Sequence, residues 1–458
     1  MLLDMAGGGG NAVRVATSAL LFQRVSVGIS GWLDKRRKAD SRGQHTTQLT
    51  AIGAVLDRIL AQLEQEQDGL TNSDIGAIYE ACHRFDRRTV WLERLWRFFQ
   101  SRFDQREDPE CRAALGVADE LVWSLYSGPV QKATLLGLRT GPSPAPVAFI
   151  EARYSPEAFP TEVVPPDLKD EGEATSLLKE HLNKMPAPVV RMAPACVAAP
   201  WLVVYLAHEV GHHLQYDLLP QRRLVTEFRQ VVETAVEQNT GSSSEAKAWG
   251  GWSKEIFADL FSVMAMGKAA VWAMGEMEFT AAKGLDEERT GYPPAGTRMA
   301  LLAETCDRVT GTADGTAALS GLFAPPPSAV RQAVLDAVLG TLPGLGTSLA
   351  KFCNVNVPAF EKEVAVWQDV FRNGDARDPT PDIANAPVLT GAAVGQWQTI
   401  AAATARDKLS AASGALESRY VAKVAAGAPD DGPRGSEEEP DVETLAGDIL
   451  DRIWQETR

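Results

Sequence analysis

The chain has 458 residues and a formal charge of −15, and its apolar and charged fractions, 45% and 23%, are those of a soluble globular protein. That length admits two or three domains, and the acidic balance argues against a nucleic-acid partner, because phosphate binding needs a basic face. The five cysteines, Cys82, Cys111, Cys196, Cys306 and Cys353, are scattered and form no C-x-x-C pair, so a disulfide framework or a cysteine zinc site is not indicated and a reducing, cytoplasmic setting is expected.

Residues 1–46 read as a flexible leader. Met1-Leu-Leu-Asp4 lacks the basic start of a secretory signal, a glycine run spans 7–10, and Arg14 and Arg24 interrupt the apolar positions. The longest apolar stretch, 193–207, is short and holds Pro194 and Pro200, so no membrane partner is expected. Residues 47–136 read as a helical domain. Leu49, Ile52, Val55, Leu56, Ile59, Leu60 and Leu63 recur at helical spacing. Ser73 and Asp74 offer caps for a second helix through Cys82. A third helix, 88–103, carries Trp91, Leu95, Trp96, Phe98 and Phe99, and a fourth spans 109–127.

The next unit, 137–310, opens on a Gly/Pro-rich stretch. Strands are predicted at 147–154 and 188–192 around an irregular acidic segment, 156–173, and an edge strand there can bind an extended peptide. Helices follow at 221–237, 253–277 and 297–308. A helical C-terminal region, 311–424, contains helices at 328–339, 358–372 and 394–424. Residues 425–440 read as a disordered acidic linker. Residues 441–458 read as a terminal amphipathic helix suited to docking on a partner or on the protein's own body. The expected class is mainly α with a small β element.

The chemistry concentrates in Leu206-Ala-His208-Glu209-Val-Gly-His212-His213. Three of the chain's six histidines lie in this hexapeptide, 208–213. By composition alone, a chance H-E-x-x-H somewhere in the chain has odds of roughly one in two hundred. Histidines four apart share one helix face, so His208 and His212 can grip one zinc ion while Glu209 reaches the attacking water as general base. His213 projects about 100° away and is not a ligand. His45, His83 and His181 lie outside the motif and read as surface or satisfied polar residues.

A catalytic zinc needs a third ligand. Positions 215 and 218, where a metzincin would place Gly and His, hold Gln215 and Leu218, and Asp217 is turned away from His212. The remaining source is Lys254-Glu255-Ile-Phe-Ala258-Asp259, with two carboxylates four residues apart on an otherwise apolar helix. Buried carboxylates are costly unless neutralised. A zinc ion answers for Glu255, and a histidine N–H answers for Asp259 as a supporting acceptor. Cys196 reads as part of a buried turn rather than as an inhibitory thiolate.

This pairing resembles the gluzincin class of zinc metallopeptidases, and Glu255-Ile-Phe-Ala258-Asp259 is similar to the E-x-x-A-D form of M48-like peptidases. Gly291-Tyr292-Pro293-Pro294, followed by Arg298, resembles their His-Pro…Arg segment, with Tyr292 in place of the histidine. The resemblance covers residues 188–302. It implies a zincin-like core flanked by helical regions, Zn²⁺ as cofactor, and hydrolysis of peptide bonds in a protein or peptide substrate. Tyr292 or Arg298 then becomes the candidate second donor to the oxyanion. Two other readings stay open: a non-catalytic zinc-stabilised scaffold, and a regulatory peptidase cutting one transcription factor or toxin.

Overall fold

The computed structural model describes residues 4–40, 43–70, 75–140, 143–160, 185–279, 284–287, 289–319, 324, 326–373 and 385–427. The segment expected to be a flexible leader is a helix, α1 (Asp4–Ala39). Its residues Phe22, Val25, Ile29, Trp32 and Leu33 recur every three or four positions and are buried. They pack with α2 (Thr46–Gly69) and α3 (Ile75–Asp104) in one apolar cluster. At Gly28 a Cβ would lie 2.5 Å from the Trp96 ring, so glycine lets the indole lie against the helix. Arg14 and Arg24 do not break the helix; they pair with Asp86 at 2.6 Å and Glu93 at 2.9 Å on α3. Residues Asn11–Ala39 also match a membrane span in length and mean hydropathy, 1.2, which a search for uninterrupted apolar runs overlooks.

The three strands form one sheet in the order β1-β3-β2, with β1 (Val147–Ile150) parallel to β3 (Val189–Met192) and β2 (Glu157–Phe159) antiparallel to it. Side chains alternate across a strand, and here both faces are covered. Val147, Phe149, Phe159 and Val189 join the core of α1–α3, whereas Ala148, Val190 and Met192 join the second, larger core. The sheet is therefore a wall shared by two helical layers. β2 was not foreseen, because it falls in a segment that reads as irregular; the pairing of Ala158 with Val190 makes it a strand.

The larger core contains α4 (Pro109–Leu135), the motif helix α5 (Leu206–Asp217), α6 (Arg223–Thr240), α7 (Ser243–Gly251), α8 (Ser253–Met266), α9 (Lys268–Glu278) and α10 (Ala295–Thr310). It also contains α11 (Ala329–Val338), α12 (Val357–Asn373), α13 (Ala386–Ala403) and α14 (Leu409–Gly427). The apolar cores thus do not follow the boundaries expected at 136 and 310. α4 belongs with the layer of the motif helix α5, and the C-terminal helices share its core. The helix expected over 253–277 is two, separated by Gly267 in the left-handed region, φ +54°. The helix expected over 394–424 is likewise two, α13 and α14. Mainly helical architecture with a small sheet is the observed class. The expected caps at 73–74, His181, nearly all of the 425–440 linker and the terminal helix lie outside the described residues.

Candidate metal centre

Pro200 starts a 3₁₀ turn, Pro200–Tyr205, that feeds directly into α5. Leu206, Ala207, Val210 and Leu214 bury the inner face of α5, and α8 runs antiparallel against it. Gly211 sets how closely the two helices approach: a Cβ there would lie 2.8 Å from Ala258 Cα and 3.1 Å from its carbonyl oxygen. Only glycine fits without moving backbone. This contact brings His208 opposite Asp259 and His212 opposite Glu255.

The three expected ligands converge. Nε2 of His208 lies 3.1 Å from Nε2 of His212 and 3.3 Å from Oε2 of Glu255, and His212 Nε2 is 3.5 Å from Oε1 of Glu255. Zinc bonds of about 2.0–2.1 Å in tetrahedral geometry require ligand atoms about 3.3 Å apart. The donor set therefore fits a zinc ion in both chemistry and spacing. Nδ1 of His208 is 2.8 Å from Oδ1 of Asp259, and a carboxylate only accepts. The proton therefore sits on Nδ1, and Nε2 presents its lone pair to the ligand cluster. Burial opposes a charge on His208, but Asp259 outweighs it and raises the pKa to about 10; a metal at this site would take the place of the second proton, the one on Nε2. Burial would raise Glu255, yet bonds from His208 and His212 hold its carboxyl far below the usual range. Glu209 is 6% exposed beside the histidines, and burial pushes its pKa up.

Arg298 is not a surface ion pair but 2% exposed. Its Nε and Nη2 donate to the two oxygens of Asp259 at 2.8 and 2.9 Å, and Nη1 donates to Glu278. Nη2 also lies 3.5 Å from Oε2 of Glu255. Each of its three nitrogens thus has a carboxylate partner, and Nη2 also lies 3.3 and 3.2 Å from Nδ1 and Nε2 of His208. It is placed to orient Asp259 and to lie against the His208 ring. Glu278 in turn accepts from Arg289, whose guanidinium also donates to the Pro293 carbonyl. Tyr292 sits at the end of this chain, 43% exposed, with Arg298 Cζ 5.8 Å from its ring. The field of Glu255, together with burial, raises its phenol pKa, so it remains a proton donor at neutral pH.

Sequence reasoning missed Glu278 and Arg289. The available signal was Glu278, which closes the largely apolar helix α9 two residues after Glu276. In ionised form Glu209, Glu255, Asp259 and Glu278 face Arg289 and Arg298, an excess of two negative charges that a divalent cation balances. The remaining expectations are met locally. His213 is fully buried and points away; burial and His212 lower its pKa to about 3. Asp217 accepts from Tyr126 Oη at 2.6 Å. Cys196 is buried, its thiol pushed up to about 12. His45 is buried, 3.2 Å from Asp119, and His83 is exposed. No protein-family model, curated protein or solved structure matches this chain.

Proposed function

We propose that the protein is a zinc-dependent metallopeptidase of gluzincin type that hydrolyses peptide bonds of a protein or peptide substrate. The observation that carries this reading is the convergence of His208, His212 and Glu255, whose donor atoms all lie within 4.8 Å of one another, with a buried glutamate beside them. His208, His212 and Glu255 hold the metal. When bound, zinc supplies Lewis acidity and lowers the pKa of water to about 7.

Glu209 takes a proton from the attacking water and returns it to the leaving amine. Burial, which raises its pKa above the usual carboxyl value, favours taking up the proton. Asp259 and Arg298 hold the His208 ring in the tautomer that ligation needs. Tyr292 donates its phenol proton to the developing oxyanion. β2, the edge strand beside α5, offers backbone groups to an extended substrate. A purely structural zinc site has no use for Glu209. In Glu209→Gln, zinc content should stay at one per chain while peptide cleavage falls by about 10²–10⁴-fold. Full cleavage by the zinc-loaded variant would sink the mechanism.

A further inference from the structure

Helix α1 lays one face on its neighbours and leaves the other uncovered. Its inner face buries Phe22, Val25, Ile29, Trp32 and Leu33, yet only 22% of its most apolar 18-residue stretch is buried. A core helix of that hydropathy would be covered all round. Among the described residues ten large apolar side chains are exposed, and five of them, Val13, Leu20, Val27, Tyr79 and Val90, belong to α1 and α3. Val13, Leu20 and Val27 recur every seven residues, so they stay within about 40° of one line along about 21 Å of helix. Ala16, Gln23 and Ser30, in the turns between them, are exposed and uncharged.

The two helices present this surface together. Asp86 and Glu93 of α3 hold Arg14 and Arg24 of α1. Val90 lies between those two acids on the same α3 face, and Tyr79 is seven residues before Asp86. Isolated apolar side chains on a surface are ordinary, but these five share one face. Cations border it. The run Lys35-Arg36-Arg37-Lys38 closes α1, with Lys35, Arg37 and Lys38 exposed. Six Lys/Arg stand against one Asp from Asn11 to Ala39, a charge of +5, on a chain whose total is −15. Lys35 and Lys38 pair with Glu107 and Asp34, but every member of these pairs is at least 46% exposed, and such pairs hold weakly against competing anions. Arg37 forms no ion pair with a carboxylate among the described residues.

We propose that this face of α1 and α3 docks on a bilayer that carries anionic headgroups. Val13, Leu20, Val27 and Val90 enter the acyl boundary, and Lys35, Arg37 and Lys38 meet the headgroups. The helix lies in the plane of the interface rather than crossing it, because its inner face is packed in the core of α2 and α3 and Arg14 and Arg24 are tied to α3. The acidic remainder of the chain is repelled by the same headgroups, which fixes the side that faces the lipid. The proposal rests on this surface alone and not on the peptidase reading.

The test is flotation of the full chain with vesicles of phosphatidylcholine, alone or with roughly one-third phosphatidylserine. Binding to the mixed vesicles should be about 10–100-fold tighter than to phosphatidylcholine and should weaken as salt rises. Leu20→Asp should weaken it about 10-fold or more, whereas Val366→Asp, an equally acidic change at an exposed position of α12, should leave it unaltered. Lys35→Gln combined with Lys38→Gln should remove most of the preference for phosphatidylserine. Urea midpoints of the variants check that each is folded. Failure to float with either vesicle, or equal weakening by Leu20→Asp and Val366→Asp, would overturn the proposal. So would a chain that dimerises without floating and becomes monomeric in Leu20→Asp, a result that would assign the face to a second copy.

Discussion

Asp259→Asn tests the arrangement behind the proposed metal ligands most directly. Oδ1 of Asp259 lies 2.8 Å from His208 Nδ1 and 2.9 Å from Arg298 Nη2, while Oδ2 takes Arg298 Nε at 2.8 Å. Asparagine has one acceptor oxygen. If that oxygen keeps His208, the amide nitrogen faces a guanidinium N–H, donor against donor. Removing one partner of a buried ion pair costs about 3–5 kcal/mol. Glu278 still holds Arg298, which places the loss near the lower figure, about 3 kcal/mol, in chelator-treated protein. Loss of a partner that orients a ligand also weakens metal binding by about 10–100-fold. At free zinc of about 100 times the Kd of the unaltered protein, metal adds about 2.7 kcal/mol to its stability. A tenfold weaker variant would gain about 1.4 kcal/mol at that same concentration. Urea unfolding with chelator and with buffered zinc, together with competition against a fluorescent chelator, measures both quantities. If Asp259→Asn unfolds at the original midpoint and binds zinc with the original affinity, the supporting role of Asp259 and Arg298 is refuted.

Three further outcomes are expected. Alanine normally stabilises a helix interior over glycine by about 1 kcal/mol, but at Gly211 it meets Ala258 backbone, so Gly211→Ala should instead destabilise by about 1–3 kcal/mol; a rise in thermal midpoint would contradict the close approach. Tyr292→Phe should lower kcat by about 10²–10³-fold with little change in KM if its phenol meets the oxyanion, and an unchanged kcat removes it from the reaction. At the junction of α1, α2 and α4, burial of Asp119 is outweighed by Arg106 and His45, and its pKa falls from 3.8 to about 2. That stabilisation, about 2 kcal/mol, is present above pH 3.8 and lost as the pH falls toward 2. Burial of His45 is outweighed by Asp119, so its pKa is raised above 6.5, and its contribution is complete below pH 6.5 and lost as the pH rises through the folded value. Urea midpoints from pH 3 to 9 should therefore be highest between about 4 and 6.5, and Asp119→Asn should flatten that profile; an unchanged profile would contradict the linkage.

Local patterns alone picked out the three residues that the structure brings together, His208, His212 and Glu255. His208 and His212 share a helix face through spacing alone, and Glu255 and Asp259 stood out because carboxylates on an apolar helix need a partner. Helix periodicity likewise revealed α2, α6, α10 and α12 to within a few residues, since each buries one continuous stripe. Where tertiary contact overrides local preference, the sequence misled. A glycine run and two arginines read as a flexible leader, yet α1 gains its helical state from the apolar face it lays on α3 and from arginines paired across the gap. Two short strands were visible, but not β2, because a three-residue edge exists only through its pairing with β3. The same distinction runs through the candidate metal centre. Spacing determined which residues can reach a metal. Tertiary structure decided how they are held: Gly211 closes α5 onto α8, Arg298 turns inward to Asp259, and Glu278 comes from a third helix. Those contacts join residues far apart in the chain, and no periodic pattern records them.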